Sequence, residues 1–256
     1  MHLLIDIGNS TILAAVADRQ GSIMSSWRFD TIKGEAAQYF AEKLRRGLRN
    51  LQLSAKDIEQ TSISSVVPEI NGRIVDAIYS LTGSKPHFFA LSDAQAMIDV
   101  DVDAPEQVGK DRLADAIGAA YTYGGAAIVI DFGTATTVGV ISHERKFLGG
   151  MIIPGMKTAH RALCERASQL SPISEWKADS IIGRSTNACM QSGMMYGTAC
   201  MIDGIIDRLS ASMPSDYKVI ATGGMAQYVV PYCRHSIIID NHLLLKGIYH
   251  ATKVKG

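Results

Sequence analysis

The chain has 256 residues, and its 25 Lys+Arg balance 25 Asp+Glu to a formal net charge of zero with His neutral. At about 150 residues per domain this is one large domain or two small ones. The charge balance excludes the cationic surplus that a nucleic-acid grip or a polybasic membrane anchor needs. A content of 47% hydrophobic against 20% charged residues excludes wholesale disorder.

Apolar runs stay well short of the roughly 18 residues of a membrane helix. The opening MHLLIDIGNS lacks a basic n-region and meets Asp6 too early for a signal peptide. The expectation is a cytoplasmic chain in which Cys164, Cys189, Cys200 and Cys233, none of them in a CxxC, are reduced thiols.

Periodicity predicts strands at 3–6, 12–17 and 23–29, then a helix over 35–49 with Phe40, Leu44, Leu48 and Leu51 on one face. A strand at 61–67, a helix over 69–82 turning Ile70, Ile74, Ile78 and Leu81 inward, and a strand near 87–91 complete the first half. The segment 111–123 reads as a linking helix with Asp111 where an N-cap would stand. The second half repeats the order: strands at 127–131, 136–142 and 146–153, helices at about 157–169 and 187–212, strand 218–222, a short helix after Gly224, strand 236–240 and a last helix near 242–252. Met190, Met194, Met195 and Met201 recur at nearly helical spacing, a core or subunit-interface stripe. Lys253 and Lys255 read as a solvated tail.

The halves also match residue by residue. LLIDIGNSTILAAVAD starts at Leu3 and AIVIDFGTATTVGVIS at Ala127, so Asp6 aligns with Asp131, Gly8 with Gly133 and Thr11 with Thr136. Such a half-chain repeat implies two similar domains, divided at 118/119, with a cleft between them. Three strands followed by alternating helices and strands predict a mixed sheet in each.

Six segments carry candidate chemistry. Asp6-Ile7-Gly8-Asn9-Ser10-Thr11 joins a buried strand to a turn rich in short donors. It is either a hairpin turn or an anion cradle with Asp6 near a hydrated Mg²⁺. Its second copy, Asp131 to Thr137, favours a phosphate clamp with one hairpin from each domain. There is no GxxxxGK[ST] and no GxGxxG after a strand, so this is neither a P-loop nor a dinucleotide fingerprint.

Gly109-Lys110-Asp111-Arg112 offers a carboxylate beside Arg at a helix start, as base or as N-cap. Gly149 to Gly155 suggests close backbone approach or a bend, with plain packing as the rival reading. In Gly183 to Asn187, Thr186 could cap a helix or bind a ligand, and Thr222 to Met225 is a strand-to-helix turn that could pass under a base or ribose.

Together DIGNS, SSVVP (Ser64 to Pro68), PEQVGKDR (Pro105 to Arg112), DFGTATTV, GGMIIPG, GRST, ATGG and LKGIY resemble the type III pantothenate kinase family, over nearly the whole chain from Asp6 to Tyr249. The resemblance implies an α/β protein of two duplicated ribonuclease H-like domains, of the actin, hexokinase and acetate kinase superfamily, with mixed β-sheets flanked by helices and an inter-domain ATP cleft. It implies transfer of the ATP γ-phosphate to pantothenate, giving 4'-phosphopantothenate at the first step of coenzyme A biosynthesis, by a cytoplasmic homodimer.

By the same resemblance Asp6, Ile7, Gly8, Asn9, Ser10, Thr11, Ile12 and Leu13 bind the ATP phosphates with Mg²⁺, and Thr134 is a second ATP contact. Gly109, Lys110, Asp111, Arg112 and Thr186 bind pantothenate, Asp111 accepts the proton, and Asp131 holds a monovalent cation, K⁺ or NH₄⁺. Lys110 stands where the family usually has a small residue, Val102 where it often has Tyr, and Ser10 where it often has Thr. On the residues alone two rivals stay open: another kinase or a phosphatase of the superfamily, and a regulatory protein, since some members have been called Bvg accessory factor.

Overall fold

The computed structural model describes residues 1–253, and Lys255 lies outside them. The chain forms two compact units, one of residues 1–123 with 242–253 and one of 124–241.

The first unit opens with a meander of β1 (His2–Ile7), β2 (Thr11–Ala17) and β3 (Ile23–Asp30). Helix α1 (Ala37–Asn50), strand β4 (Gln60–Ser65), helix α2 (Pro68–Thr82) and strand β5 (His87–Phe88) follow, giving the sheet order β3-β2-β1-β4-β5. The meander pairs antiparallel, whereas β1, β4 and β5 are parallel, with the helices as crossovers. Strand β4 stops at Ser65 rather than 67 because Pro68 opens α2.

One face of the sheet, with Leu3, Ile5, Ile7 and Ile63, packs against Phe40, Leu44 and Leu48 of α1 and Ile70, Ile74 and Ile78 of α2. Leu51 and Leu81, expected on the same stripes, pack against this core only in part. Two short elements that periodicity does not announce, α3 (Leu91–Gln95) and β6 (Asp99–Val100), lead to α4 (Lys110–Thr122).

The second unit runs β7 (Ala127–Phe132), β8 (Ala135–Ile141), β9 (Lys146–Pro154), α5 (Met156–Arg166), α6 (Thr186–Ser192), α7 (Thr198–Ser210), β10 (Lys218–Thr222), α8 (Ala226–Val229) and β11 (Ile238–Ile239). Its strands follow the order β11-β10-β7-β8-β9, which read backwards is the order of the first sheet. The long predicted helix is present, but a π-helical turn, Gly193–Gly197, joins α6 to α7. Met190 and Met195 are buried there, and Met194 and Met201 pack partly against the core that holds Met195.

The last helix, α9 (Leu243–Lys253), departs from a linear division at 118/119: it belongs with the first unit, against α4. A cut at 118 would also fall inside α4, whereas the chain turns just after it through Gly124 and Gly125, both at positive φ. A Cβ on Gly118 would strike the Leu243 carbonyl, and one on Gly247 the Ala114 carbonyl, so α4 and α9 touch backbone to backbone. Lys253, expected in a loose tail, ends α9 with its Nζ 5.5 Å from the Tyr249 ring centroid. Among the described residues no helix is long and apolar enough to cross a membrane.

His2 reports on this packing. Burial, then the nearby N-terminal ammonium and His87, push its pKa down to about 4, and its Nε2 lies 2.8 Å from Ser62 Oγ. The unfolded chain, with His near 6.5, binds the extra proton first. Unfolding free energy should therefore fall as pH drops from about 6.5 towards 4, and His2→Asn should flatten that part of a urea-denaturation pH series. Gly118→Ala should force α4 and α9 apart at a cost of about 1–3 kcal/mol, read as a lower midpoint in the same assay.

Candidate functional site

In the first unit the DIGNS segment is a hairpin tip. Gly8 N–H donates to the Thr11 carbonyl at 3.0 Å, which closes the turn and removes that N–H from any anion. Thr31 clamps the turn from outside: its Oγ1 donates to the Gly8 carbonyl at 2.7 Å and its N–H to the Ser10 carbonyl at 3.0 Å. Asn9, Ser10 and Thr11 are left exposed at the tip, while Ile7 and Ile12 are buried and Asp6 and Leu13 are half-buried. The eight expected residues thus split into an exposed donor tip and an apolar root.

At the start of α4, the N-cap is Gly109, not Asp111. Asp111 lies in the first helical turn, where the positive end of the helix favours a carboxylate. Its Oδ1 accepts from Arg112 N–H at 2.8 Å and occupies the place that a Cβ on residue 109 would take. The glycine is there because the carboxylate folds back over it. Arg112 is half-buried, and that burial lowers its pKa while the neighbouring Asp111 raises it. Lys110 is the first helical residue. One turn on, Asp115 is buried on the same helix, a carboxylate that sequence reasoning passed over although its four-residue spacing from Asp111 marks a shared face.

In the second unit Asp131 ends β7 in the same manner. A Cβ on Gly223 would meet its Oδ1, and one on Gly133 would come within 3.3 Å of its Oδ2. Gly223 has φ +87. The Thr222 to Met225 turn therefore makes room for the Asp131 carboxylate, a role that composition could not reveal. Thr134 is exposed at the hairpin tip, and its carbonyl accepts from Gly155 N–H at 3.2 Å and Thr158 Oγ1 at 2.8 Å. Gly155, the N-cap of α5, has the carbonyls of Gly133 and Thr134 where its Cβ would be, so this end of GGMIIPG serves close backbone approach. Ser185 caps α6 by accepting from Ala188 N–H at 3.2 Å, which leaves Thr186 exposed at the first helical position.

The two hairpins are not superposable residue for residue. Asp6 pairs with Leu13 and Ile7 with Ile12, whereas Asp131 pairs with Thr137 and Phe132 with Thr136. The second turn is one residue shorter, so the structural counterpart of Thr11 is Ala135, and the alignment of Thr11 with Thr136 fails at that point.

Among the described residues, no group of three or more His, Cys, Asp and Glu could hold a metal ion. Mg²⁺ does not require such a cage, since it keeps most of its waters and uses one or two carboxylates with substrate phosphates. The half-buried Asp6 carboxylate and the exposed side-chain oxygens of Asn9, Ser10 and Thr11 in the same hairpin are hard donors of the kind it takes. Cavities of about 280 Å³, with Arg45, Leu53 and Leu81 in its wall, and about 400 Å³, with His160, Cys164 and Pro172, contain none of the predicted residues.

Known proteins match this chain along its length. A family model described as type III pantothenate kinase matches residues 2–208. A type III pantothenate kinase of Dictyoglomus turgidum is 35% identical over 252 residues, covering 98% of each chain. One of Halalkalibacterium halodurans is 34% identical over 255 residues, covering 97% of each. Among solved structures, a ROK family glucokinase from Streptomyces griseus in complex with glucose and AMPPNP has a TM-score of 0.55 at 14% identity, over 96% of this chain and 97% of that one. The activator of the 2-hydroxyisocaproyl-CoA dehydratase from Clostridium difficile, with bound ADPNP, has a TM-score of 0.56 at 12% identity, over 99% and 93%. The structural likenesses establish the fold, two ribonuclease H-like units of the actin and hexokinase type, and the sequence matches establish that the chain belongs to the type III pantothenate kinase family.

Proposed function

We propose that this protein transfers the γ-phosphoryl group of ATP to the primary hydroxyl of pantothenate, giving 4'-phosphopantothenate and ADP, as a cytoplasmic homodimer. Beyond family membership, the observation that carries this reading is Asp111, held over Gly109 at the start of α4 with half-buried Arg112 beside it.

The pantothenate oxygen attacks the γ-phosphorus, the bond to the β,γ-bridging oxygen breaks, and Asp111 takes the hydroxyl proton. Transfer of this kind has a loose transition state, so the protein contributes position and charge more than covalent chemistry. Arg112 orients the acceptor, whose carboxylate fits a guanidinium fork. Thr186 is a further pantothenate contact, and Gly109 and Lys110 complete that segment. In the first unit residues 6–13 take the ATP phosphates, through the exposed Asn9, Ser10 and Thr11. In the second, Thr134 is a further ATP contact and Asp131 would hold K⁺ or NH₄⁺. Mg²⁺ bound with ATP would neutralise phosphate charge, and Asp6 would hold its hydrated form.

The direct test is ADP release with ATP, Mg²⁺ and pantothenate in K⁺ or Na⁺. The expected result is pantothenate-dependent turnover stimulated by K⁺; turnover indifferent to the cation would discard the role of Asp131, and none in either salt would discard the kinase reading. Asp111→Asn should lower kcat by about 10²–10⁴-fold, the usual worth of a positioned acid or base, while ATP still binds by calorimetry. Gly109→Ala should displace the same carboxylate and lose turnover with little change in thermal midpoint. Arg112→Lys should raise KM for pantothenate by about tenfold, since the ammonium keeps the charge but not the fork.

A further inference from the structure

Ser64 is a buried hydroxyl that the fold leaves unsatisfied. It is 0% exposed on β4, and its Oγ has no hydrogen-bond partner among the described residues. The serines on either side are engaged: Ser62 with His2, and Ser65 with both Asn71 and the Val67 N–H.

Pairing register fixes where Ser64 stands. Strand β4 runs parallel to β1 with Asp6 directly opposite Ser64. His2 and Asp6 share one face of β1, as Ser62 and Ser64 share one face of β4, because side chains alternate along a strand. The His2–Ser62 hydrogen bond makes these the same face. It is the face towards α9, where the His2 ring meets Tyr249, and α4 also contacts β4. Ile5, Ile7 and Ile63 occupy the opposite, apolar face. Ser64 is therefore beside Asp6 on the face nearest the helix that carries Asp111.

A buried hydroxyl without a partner is unfavourable, and Ala would occupy the same strand position without that cost. The residue makes physical sense if its partner arrives with the substrate. Neighbouring strands lie about 4.8 Å apart, a spacing that one water bridges between two short polar side chains. Mg²⁺ retains several waters, and such waters need second partners to hold their orientation. We propose that Ser64 is a positioning residue whose Oγ, beside Asp6, fixes a water of the Mg²⁺ hydration shell that accompanies ATP. The proposal rests on the kinase reading above, in its nucleotide half only.

The test uses Ser64→Ala and Ser64→Cys, the second nearly isosteric, with Mn²⁺ and the non-hydrolysable nucleotide AMPPCP as the probe. Three quantities are measured: the melting temperature of ligand-free protein, the Mn²⁺ dissociation constant by electron paramagnetic resonance, and the Mg²⁺ concentration for half-maximal ADP release. Both variants should melt at or above the wild-type temperature. Both should show Mn²⁺ dissociation constants and Mg²⁺ requirements raised about tenfold, the worth of one hydrogen bond to a charged centre. Wild-type Mn²⁺ affinity in both variants overturns the proposal, as does a lowered melting temperature with metal affinity intact, which would make Ser64 a packing residue. Weakened Mn²⁺ binding in a protein that never releases ADP with pantothenate would leave Ser64 standing and remove only the acceptor assignment.

Discussion

Carboxylates laid directly against glycine Cα atoms govern both candidate sites. Asp111 occupies the volume of a Cβ at residue 109, and Asp131 that of a Cβ at residue 223. In each case an acidic group is fixed by steric exclusion as much as by hydrogen bonding. A side chain pressed onto backbone has few rotamers left, so the carboxylate keeps little orientational freedom. Glycine at 109 and 223 follows from that contact, and at 223 from a left-handed φ as well.

The same device recurs at larger scale. Helices α4 and α9 meet through Gly118 and Gly247, and the 133–134 turn rests on Gly155. The start of α4 is therefore anchored at both levels: Asp111 is held to the backbone of its own first turn, and the helix is held to α9. Thr31 plays the corresponding part for the first hairpin, tying its tip to the end of β3 through two hydrogen bonds.

Much of this was legible in the sequence. The succession of strands and helices along the chain and the apolar stripes of Phe40–Leu44–Leu48 and Ile70–Ile74–Ile78 follow from periodicity, because each element buries a single face; the Met stripe, read as core or subunit interface, packs in part into the core. The Asp-x-Gly repeat located both hairpins. Features set by contacts distant in sequence were hidden. The one-residue shortening of the second turn shows only in strand register, and the assignment of α9 to the first unit depends on its partner more than a hundred residues earlier. Gly223 read as part of a strand-to-helix turn, ordinary or passing under a base or ribose, because the contact that requires it lies on β7. The cap at Gly109 was misplaced to Asp111 because Asp is a favoured cap, a local preference that the backfolded carboxylate overrides.

The placement of α9 orders events during synthesis. Residues 124–241 make a contiguous unit whose sheet and helices are all translated before residue 242. The first unit, although begun first, lacks the helix that packs against α4 until residues 243–253 have been made. Chains usually fold domain by domain from the N-terminus, but here the second unit can close while the first still exposes the α4 surface around Gly118. The nascent chain carries that apolar surface while the whole of the second unit is made, and the core of the first unit closes only once α9 has been added.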